Sequence, residues 1–258
     1  MTDQTKRSVQ RQFGQVAERY ASSTVFSQGV DLEMIAREAE TTRPGRALDV
    51  GTAAGHVAFA LSPHAGLVVG LDLTHAMVVK AAEDGAARGL ANLRFGQGDV
   101  EHLPFPDGAF DFVACRFSGH HFPNPDRFAG EVARVLRRGG RLILGDVVAP
   151  ADPELDRWIN EVETLRDPSH HRDWSVAEWE RMLGAAGLET ELLLDWRLDL
   201  DFADWLRRQR TPPEPADEVR AMFRVAPREY VEAFQLRMPA DGTWAFVLHC
   251  AVLRATKR

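Results

Sequence analysis

From residue 46 onward, short β-rich apolar runs alternate for about a hundred residues with segments whose apolar positions recur at helical spacing, the signature of βαβ units. The runs Arg46 to Val50, Leu67 to Leu73, Leu93 to Gln97, Phe110 to Arg116 and Arg141 to Val148 read as parallel strands. Each is short, apolar and bounded by turn residues, as strands covered on both faces should be. Between them, Phe128, Val132, Val135 and Leu136 form one helical stripe, followed by Arg137, Arg138 and the stop signal Gly139-Gly140. Ser175 with Glu178 makes a capping box, and Trp174 with Trp179 occupies the two staple positions, so a helix should start at Val176 and end near Gly187.

On either side of this alternation the pattern changes. Phe13, Val16, Ala17 and Tyr20 repeat at helical spacing, as do Leu32, Ile35, Ala36 and Ala39, which predicts two N-terminal helices packed on the core. Later, Leu188 to Leu200 reads as a strand and residues 201–235 as short helices broken by Pro212, Pro213, Pro215 and Pro227. Asp241-Gly242 reads as the turn of a closing hairpin. The fold class is α/β, and no internal repeat interrupts it.

Composition narrows the function classes. The chain has 258 residues and 45% hydrophobic content, with 31 Lys plus Arg against 38 Asp plus Glu. A formal charge of −7 opposes any mechanism that neutralises many phosphates, so nucleic acid is not expected as a partner. Two cysteines in apolar runs, Cys115 and Cys250, provide no disulfide framework and suit a reducing compartment, with the cytoplasm as the expected location. The polar start from Met1 to Gln12 carries no signal-peptide core, and no run reaches the roughly 18 apolar residues of a membrane span, so no membrane role is expected.

Candidate chemistry begins where the first strand ends, at Asp49-Val50-Gly51-Thr52-Ala53-Ala54-Gly55-His56. Glycines in such a turn let the backbone approach a ligand closely. A dinucleotide fingerprint requires G-x-G-x-x-G, whereas these glycines are four apart with Ala53 in the middle. At the second strand end, Asp72 is placed to accept from both hydroxyls of a ribose. Gly98-Asp99-Val100 follows the third strand, where Asp99 can accept from an adenine amino group. Each aspartate taken alone reads equally as turn chemistry; their recurrence after successive strands favours a ligand.

In that order, with Glu101-His102-Leu103-Pro104-Phe105, Phe110-Asp111 and the run to Gly145-Asp146, the sequence resembles the class I S-adenosylmethionine-dependent methyltransferases of the UbiE-like, type 11 group. The resemblance covers residues 44–150. It extends through Pro150 to Asp156, Leu165 to His170 and the Ser175 helix, which are similar to a YcgJ-like bacterial subgroup. It implies S-adenosyl-L-methionine as cofactor and a Rossmann-like sheet of seven strands, the last antiparallel. By the same resemblance Gly51, Thr52 and Gly55 line the methionine part, and Asp49 helps hold its amino group. Asp72 binds the ribose, Leu73 and Met77 flank the adenine, and Asp99 with Val100 reads its edge. Arg116 lies near the reacting sulfonium, with Tyr20 closing over it; Ala53 departs mildly from the family's usual glycine.

One domain is expected over residues 1–258: a helical lid at 1–43, a cofactor-binding core at 44–150, and cap elements with C-terminal strands at 151–258. Trp158, the Asp167 to Trp174 segment and the proline-broken region would roof a small, partly apolar methyl acceptor. His120 and His121 follow the fourth strand, where open α/β folds place ligands, and one of them is the candidate base or acceptor orienter, with loop packing as the plain alternative. His170 and His171 read as a loop leading to the Ser175 cap, or as cap residues reaching the pocket. Adjacent histidines do not converge on one ion, so no metal is expected. Rival readings are an NAD-dependent oxidoreductase, a non-catalytic S-adenosylmethionine binder and a nucleic-acid methyltransferase. The Arg116-Phe117-Ser118-Gly119 run lacks the Asn/Asp-Pro-Pro-Tyr arrangement of amino-methylating DNA enzymes. The acceptor's identity is open, as is the choice between monomer and homodimer.

Overall fold

A computed structural model describes the backbone of residues 2–22 and 27–258, and the side chains of residues 4–14 and 27–258. Its centre is a 7-stranded sheet in the order β3-β2-β1-β4-β5-β7-β6. The strands are β1 (Arg46–Val50), β2 (Leu67–Asp72), β3 (Leu93–Gln97), β4 (Phe110–Arg116), β5 (Leu136–Val147), β6 (Leu188–Asp201) and β7 (Ala245–Lys257). The first five pair in parallel, while β7 runs antiparallel between β5 and β6. Strand order reverses between β1 and β4, which opens a crevice at their carboxyl ends.

Alternation along the strands explains why helices cover both faces. Leu48 and Val50 of β1, Val113 and Cys115 of β4, and Leu142 and Leu144 of β5 share one core cluster with α5 (Pro125–Val135) and α7 (Val176–Ala185). Their neighbours Ala47, Phe112, Ala114 and Ile143 point the other way, against α2 (Val30–Thr42) and α3 (His56–Leu61). A residue such as Leu144, 1% exposed, contributes about 1.5–3 kcal/mol by leaving water. A third cluster packs α6 (Pro153–Arg166), α8 (Phe202–Gln209) and α9 (Pro213–Arg224) on β7, through Ile159, Trp205, Phe223 and Phe246.

The remaining helices are α1 (Thr2–Ser22), α4 (His75–Ala87) and α10 (Arg228–Ala233). Ser175 Oγ accepts from the Glu178 amide while the Glu178 carboxylate accepts from the Ser175 amide, so the capping box forms as expected. Three boundaries differ. α5 stops at Val135, before the Gly139-Gly140 signal, because Leu136 turns to extended backbone and pairs with Phe110; the glycines lie inside β5, with Gly139 at φ +73°. Pro213 and Pro215 sit in the first turn of α9, where missing amide hydrogens cost nothing, so they start this helix. The Asp241-Gly242 turn closes only the single bridge between Arg237 and Ala245, since α8 to α10 intervene between β6 and β7. No helix among the described residues is long and apolar enough to cross a membrane.

Candidate cofactor and active site

The turn after β1 is built to keep backbone bare. Gly51, Ala53 and Gly55 all take positive φ, at +67°, +45° and +90°. A Cβ on Gly51 would lie 2.4 Å from Ser118 Oγ, and one on Gly55 would lie 2.7 Å from the Phe59 ring. Ala53 holds a left-handed conformation that costs an L-residue roughly 1–2 kcal/mol.

Asp49 stabilises this turn from beneath. Its Oδ2 accepts from Thr52 Oγ1 at 2.6 Å and from the Ala58 amide at 3.1 Å, tying β1 to the first turn of α3. Complete burial, aided by nearby Asp72 and opposed by these hydrogen bonds, pushes the Asp49 carboxyl up to about 7. Asp72 joins two turns: Oδ2 accepts from the Ala53 amide at 2.9 Å and Oδ1 from the Thr74 amide at 2.8 Å. Burial raises its pKa despite both bonds.

At the end of β3, Lys6 of α1 donates to Asp99 Oδ2 and to Glu101 Oε2, both at 2.7 Å. Desolvation alone would raise the Asp99 pKa, but the Lys6 ammonium and the Glu101 amide hold it below the usual range. Oxygen and nitrogen atoms of Asp99, Glu101 and His102 lie within 4.8 Å of one another, and Lys6 supplies the positive charge there. At the end of β4, the Arg116 guanidinium donates through Nε and Nη2 to Asp31 of α2, and through Nη2 to the Gln28 carbonyl. Both side chains of this pair are under 5% exposed, at 4% and 3%.

These elements line a cavity that is partly open to solvent, about 920 Å³ when the solvent space at its mouth is counted. Of the residues expected from the sequence, Gly51, Thr52, Asp72, Leu73, Asp99, Val100, Arg116 and His121 line it. Asp49, Gly55 and Met77 stand behind the wall. Asp49 and Gly55 shape the turn, and Met77, fully buried, lies with Val78 and Ala81 on the inward stripe of α4. Tyr20 falls outside the residues whose side chains are described. Additional wall comes from Lys6, Val9 and Phe13 of α1, and from Phe117 and Ser118. Lys6, Val9 and Phe13 share one helix face, a spacing legible in the sequence; Asp31 gave no local sign of its distant partner.

The two adjacent histidines diverge. His121 Nδ1 donates to the Ser169 carbonyl at 3.0 Å, a carbonyl being able only to accept, and its ring meets Phe13 edge-on at 4.9 Å. Burial, reinforced by the charge of His120, pushes His121 down to about 4, so it is neutral at pH 7 with Nε2 carrying the lone pair. His120 does not line this cavity; its Nδ1 pairs with Asp146 Oδ1 at 2.6 Å. Burial opposes a charge on His120, yet Asp146 outweighs it and raises the pKa to about 9.

A reversed-order parallel sheet with an antiparallel β7, a glycine turn after β1 and acidic groups after β2 and β3 defines a Rossmann-like methyltransferase. Residues 48–144 match the family model described as "Methyltransferase domain". The chain is 37% identical over 247 residues to the uncharacterized methyltransferase YcgJ of Bacillus subtilis, covering 95% of this chain and 98% of that one. The YcgJ crystal structure superposes with a TM-score of 0.86 at 36% identity, over 88% of this chain and 98% of that one. For the BH2331 protein of Bacillus halodurans the TM-score is 0.85 at 36% identity, over 89% and 99%. A demethylmenaquinone methyltransferase of Deinococcus radiodurans is 38% identical over 151 residues, 56% of this chain and 62% of that one. The chain belongs to the class I S-adenosylmethionine-dependent methyltransferases, type 11 domain family, alongside YcgJ.

Proposed function

We propose that this methyltransferase acts on a small-molecule acceptor by in-line displacement, leaving S-adenosylhomocysteine. The observation that carries the reading is the convergence of Gly51, Thr52, Asp72, Asp99 and Arg116 on one cavity at the carboxyl ends of β1 to β4. The wall suits the cofactor: a bare glycine turn, carboxylates for hydroxyls and an amine, and the apolar Leu73, Val100 and Phe122 for a flat base. When bound, S-adenosylmethionine supplies a methyl group on a positively charged sulfur.

Asp72 binds the ribose, Asp99 and Val100 read the base, and Gly51 and Thr52 hold the amino-acid end. Asp49, Gly55 and Met77 act by supporting that wall. Arg116, neutralised by Asp31, fixes α2 over the site rather than opposing the sulfonium. His121 and His56 are the imidazoles on this wall; His121, neutral at pH 7, is the candidate to take a proton from an acceptor through Nε2, while His120 is held as a cation by Asp146 and orients rather than abstracts. Residues 1–258 act as one unit, with 1–43 as lid, 44–150 as cofactor core and 151–258 as cap. The relation to a demethylmenaquinone methyltransferase supports a small acceptor.

Calorimetric titration of S-adenosylhomocysteine against wild type and Asp72→Asn tests the cofactor assignment. Binding is expected, weakened about tenfold in the variant through the lost charge-assisted bonds, with none for NAD. Equal affinity in both proteins removes Asp72 from the site. Transfer of labelled methyl from S-adenosylmethionine into a metabolite pool, lost in His121→Ala, tests the base.

A further inference from the structure

Beyond Phe117 lies a second cavity, partly open to solvent and about 510 Å³ when the solvent space at its mouth is counted, lined by α6, α8, β5, β6 and β7. Phe117 stands on the wall of both cavities, held at φ +47° with its amide donated to the Gly145 carbonyl. Val147, Leu198, Leu200, Trp205 and Leu248 give the second cavity an apolar surface. Among the residues that line it, Asp173 and Trp205 each carry a buried polar atom for which the described residues supply no hydrogen-bond partner, Oδ2 and Nε1. Their residues are 2% and 1% exposed, so water does not readily satisfy them. Orphaned indole nitrogens also occur at Trp174 and Trp179, but Asp173 is the one carboxyl group so placed among the described residues.

The other charges on this wall have partners of their own. Glu163 pairs with Arg166 at 2.9 Å and His120 with Asp146 at 2.6 Å, while Arg208 pairs at 3.1 Å with Asp204, a carboxylate that it shares with Arg207. A charged ligand would enter this low-dielectric space without a counter-ion of its own. Burial, together with the negative Glu163 and Asp146, raises the Asp173 carboxyl well above the usual carboxylate range despite His120 and Arg166, which favours the protonated form that can donate as well as accept.

We propose that this second cavity receives the methyl acceptor, and that the acceptor is an uncharged molecule with an apolar body and an oxygen function that meets Asp173 and Trp205 Nε1. The remainder of the molecule reaches past Phe117 toward the first cavity. The assignment rests on the methyltransferase reading, because only that reading calls for a second ligand beside the cofactor.

Three bicyclic probes of matched size separate the chemistries: 2-naphthol, 2-naphthylmethylamine as the cation and 2-naphthoate as the anion. Each is titrated calorimetrically at pH 7 into wild type, Asp173→Asn and Asp173→Leu, with saturating S-adenosylhomocysteine present. The naphthol is expected to bind and to outcompete both charged probes. Asparagine, a neutral group of the same shape, preserves that affinity within a few fold, whereas leucine weakens it about tenfold by removing the hydrogen bond. S-adenosylhomocysteine affinity stays level in both variants, which also reports that they fold. Tightest binding of the amine, with loss in Asp173→Asn, overturns the proposal in favour of a carboxylate site for a cation. Preference for the naphthoate overturns it too, as does naphthol binding indifferent to Asp173→Leu or absent from wild type. If S-adenosylhomocysteine itself fails to bind wild type, the reading of the first cavity fails instead.

Discussion

Replacing His120 by glutamine should make the protein's stability respond differently to pH, by an amount set by the Asp146 pair. His120 Nδ1 lies 2.6 Å from Asp146 Oδ1, with the two side chains 15% and 2% exposed, so solvent screens the pair little. Its pKa rises from 6.5 to about 9 in the fold. At about 1.4 kcal/mol for each pH unit, that corresponds to about 3 kcal/mol. Because the folded value is the raised one, this stability is fully present below 6.5 and is lost as pH climbs through 9. Urea unfolding of wild type and His120→Gln at half-unit steps from pH 7 to 9.5 isolates the effect, since groups common to both proteins cancel in the difference. Wild type should exceed the variant most at pH 7, with the gap narrowing by about 2.4 kcal/mol toward pH 9.5. A gap that stays level, or widens with pH, would show that His120 is neutral in the fold and refute the pairing.

Arg116→Met should cost about 3–5 kcal/mol because Asp31 is left buried without its counter-ion, and adding Asp31→Leu should recover most of the loss in urea midpoints. Ala53→Gly should raise stability by roughly 0.5–1 kcal/mol, as relief of the left-handed alanine exceeds the added freedom of the unfolded chain; a loss in thermal unfolding would contradict the strain argument. Lys6→Ala should release α1 from Asp99 and Glu101, seen as about tenfold faster limited proteolysis between residues 2 and 22, with β-sheet circular dichroism unchanged.

The sheet was legible because each buried strand carries its own local record. Leu67 to Leu73 and Phe110 to Arg116 are apolar runs cut off by turn residues, and the observed β2 and β4 match them within a residue. The Ser175 helix was equally plain, since a capping box is written within four positions. Boundaries decided by tertiary pairing were not: nothing near Leu136 announces that Phe110 will draw it out of the helix. The same division runs through the site. Gly51, Asp72 and Asp99 sit at strand ends and could be read in order, whereas Lys6 reaches the cavity, and Asp31 reaches the guanidinium on its wall, only through docking of α1 and α2. Asp173 was hidden for a related reason, because its significance is the lack of a partner, which no spacing encodes.

The placement of β7 between β5 and β6 bears on how the molecule is made. Residues 245–257 are synthesised after both neighbours, yet they pair with β5 on one side and β6 on the other. Until this segment leaves the ribosome, β5 and β6 each present an unpaired edge, the kind of surface that recruits other chains. The Rossmann half from β1 to β4 can form as it emerges, but the cavity beyond Phe117, walled by Leu248 and the elements on β7, cannot. That second cavity is the last part of the protein to exist during synthesis, and a nascent chain stalled before residue 245 should hold the β1 to β4 half while depending on chaperones to guard its open sheet.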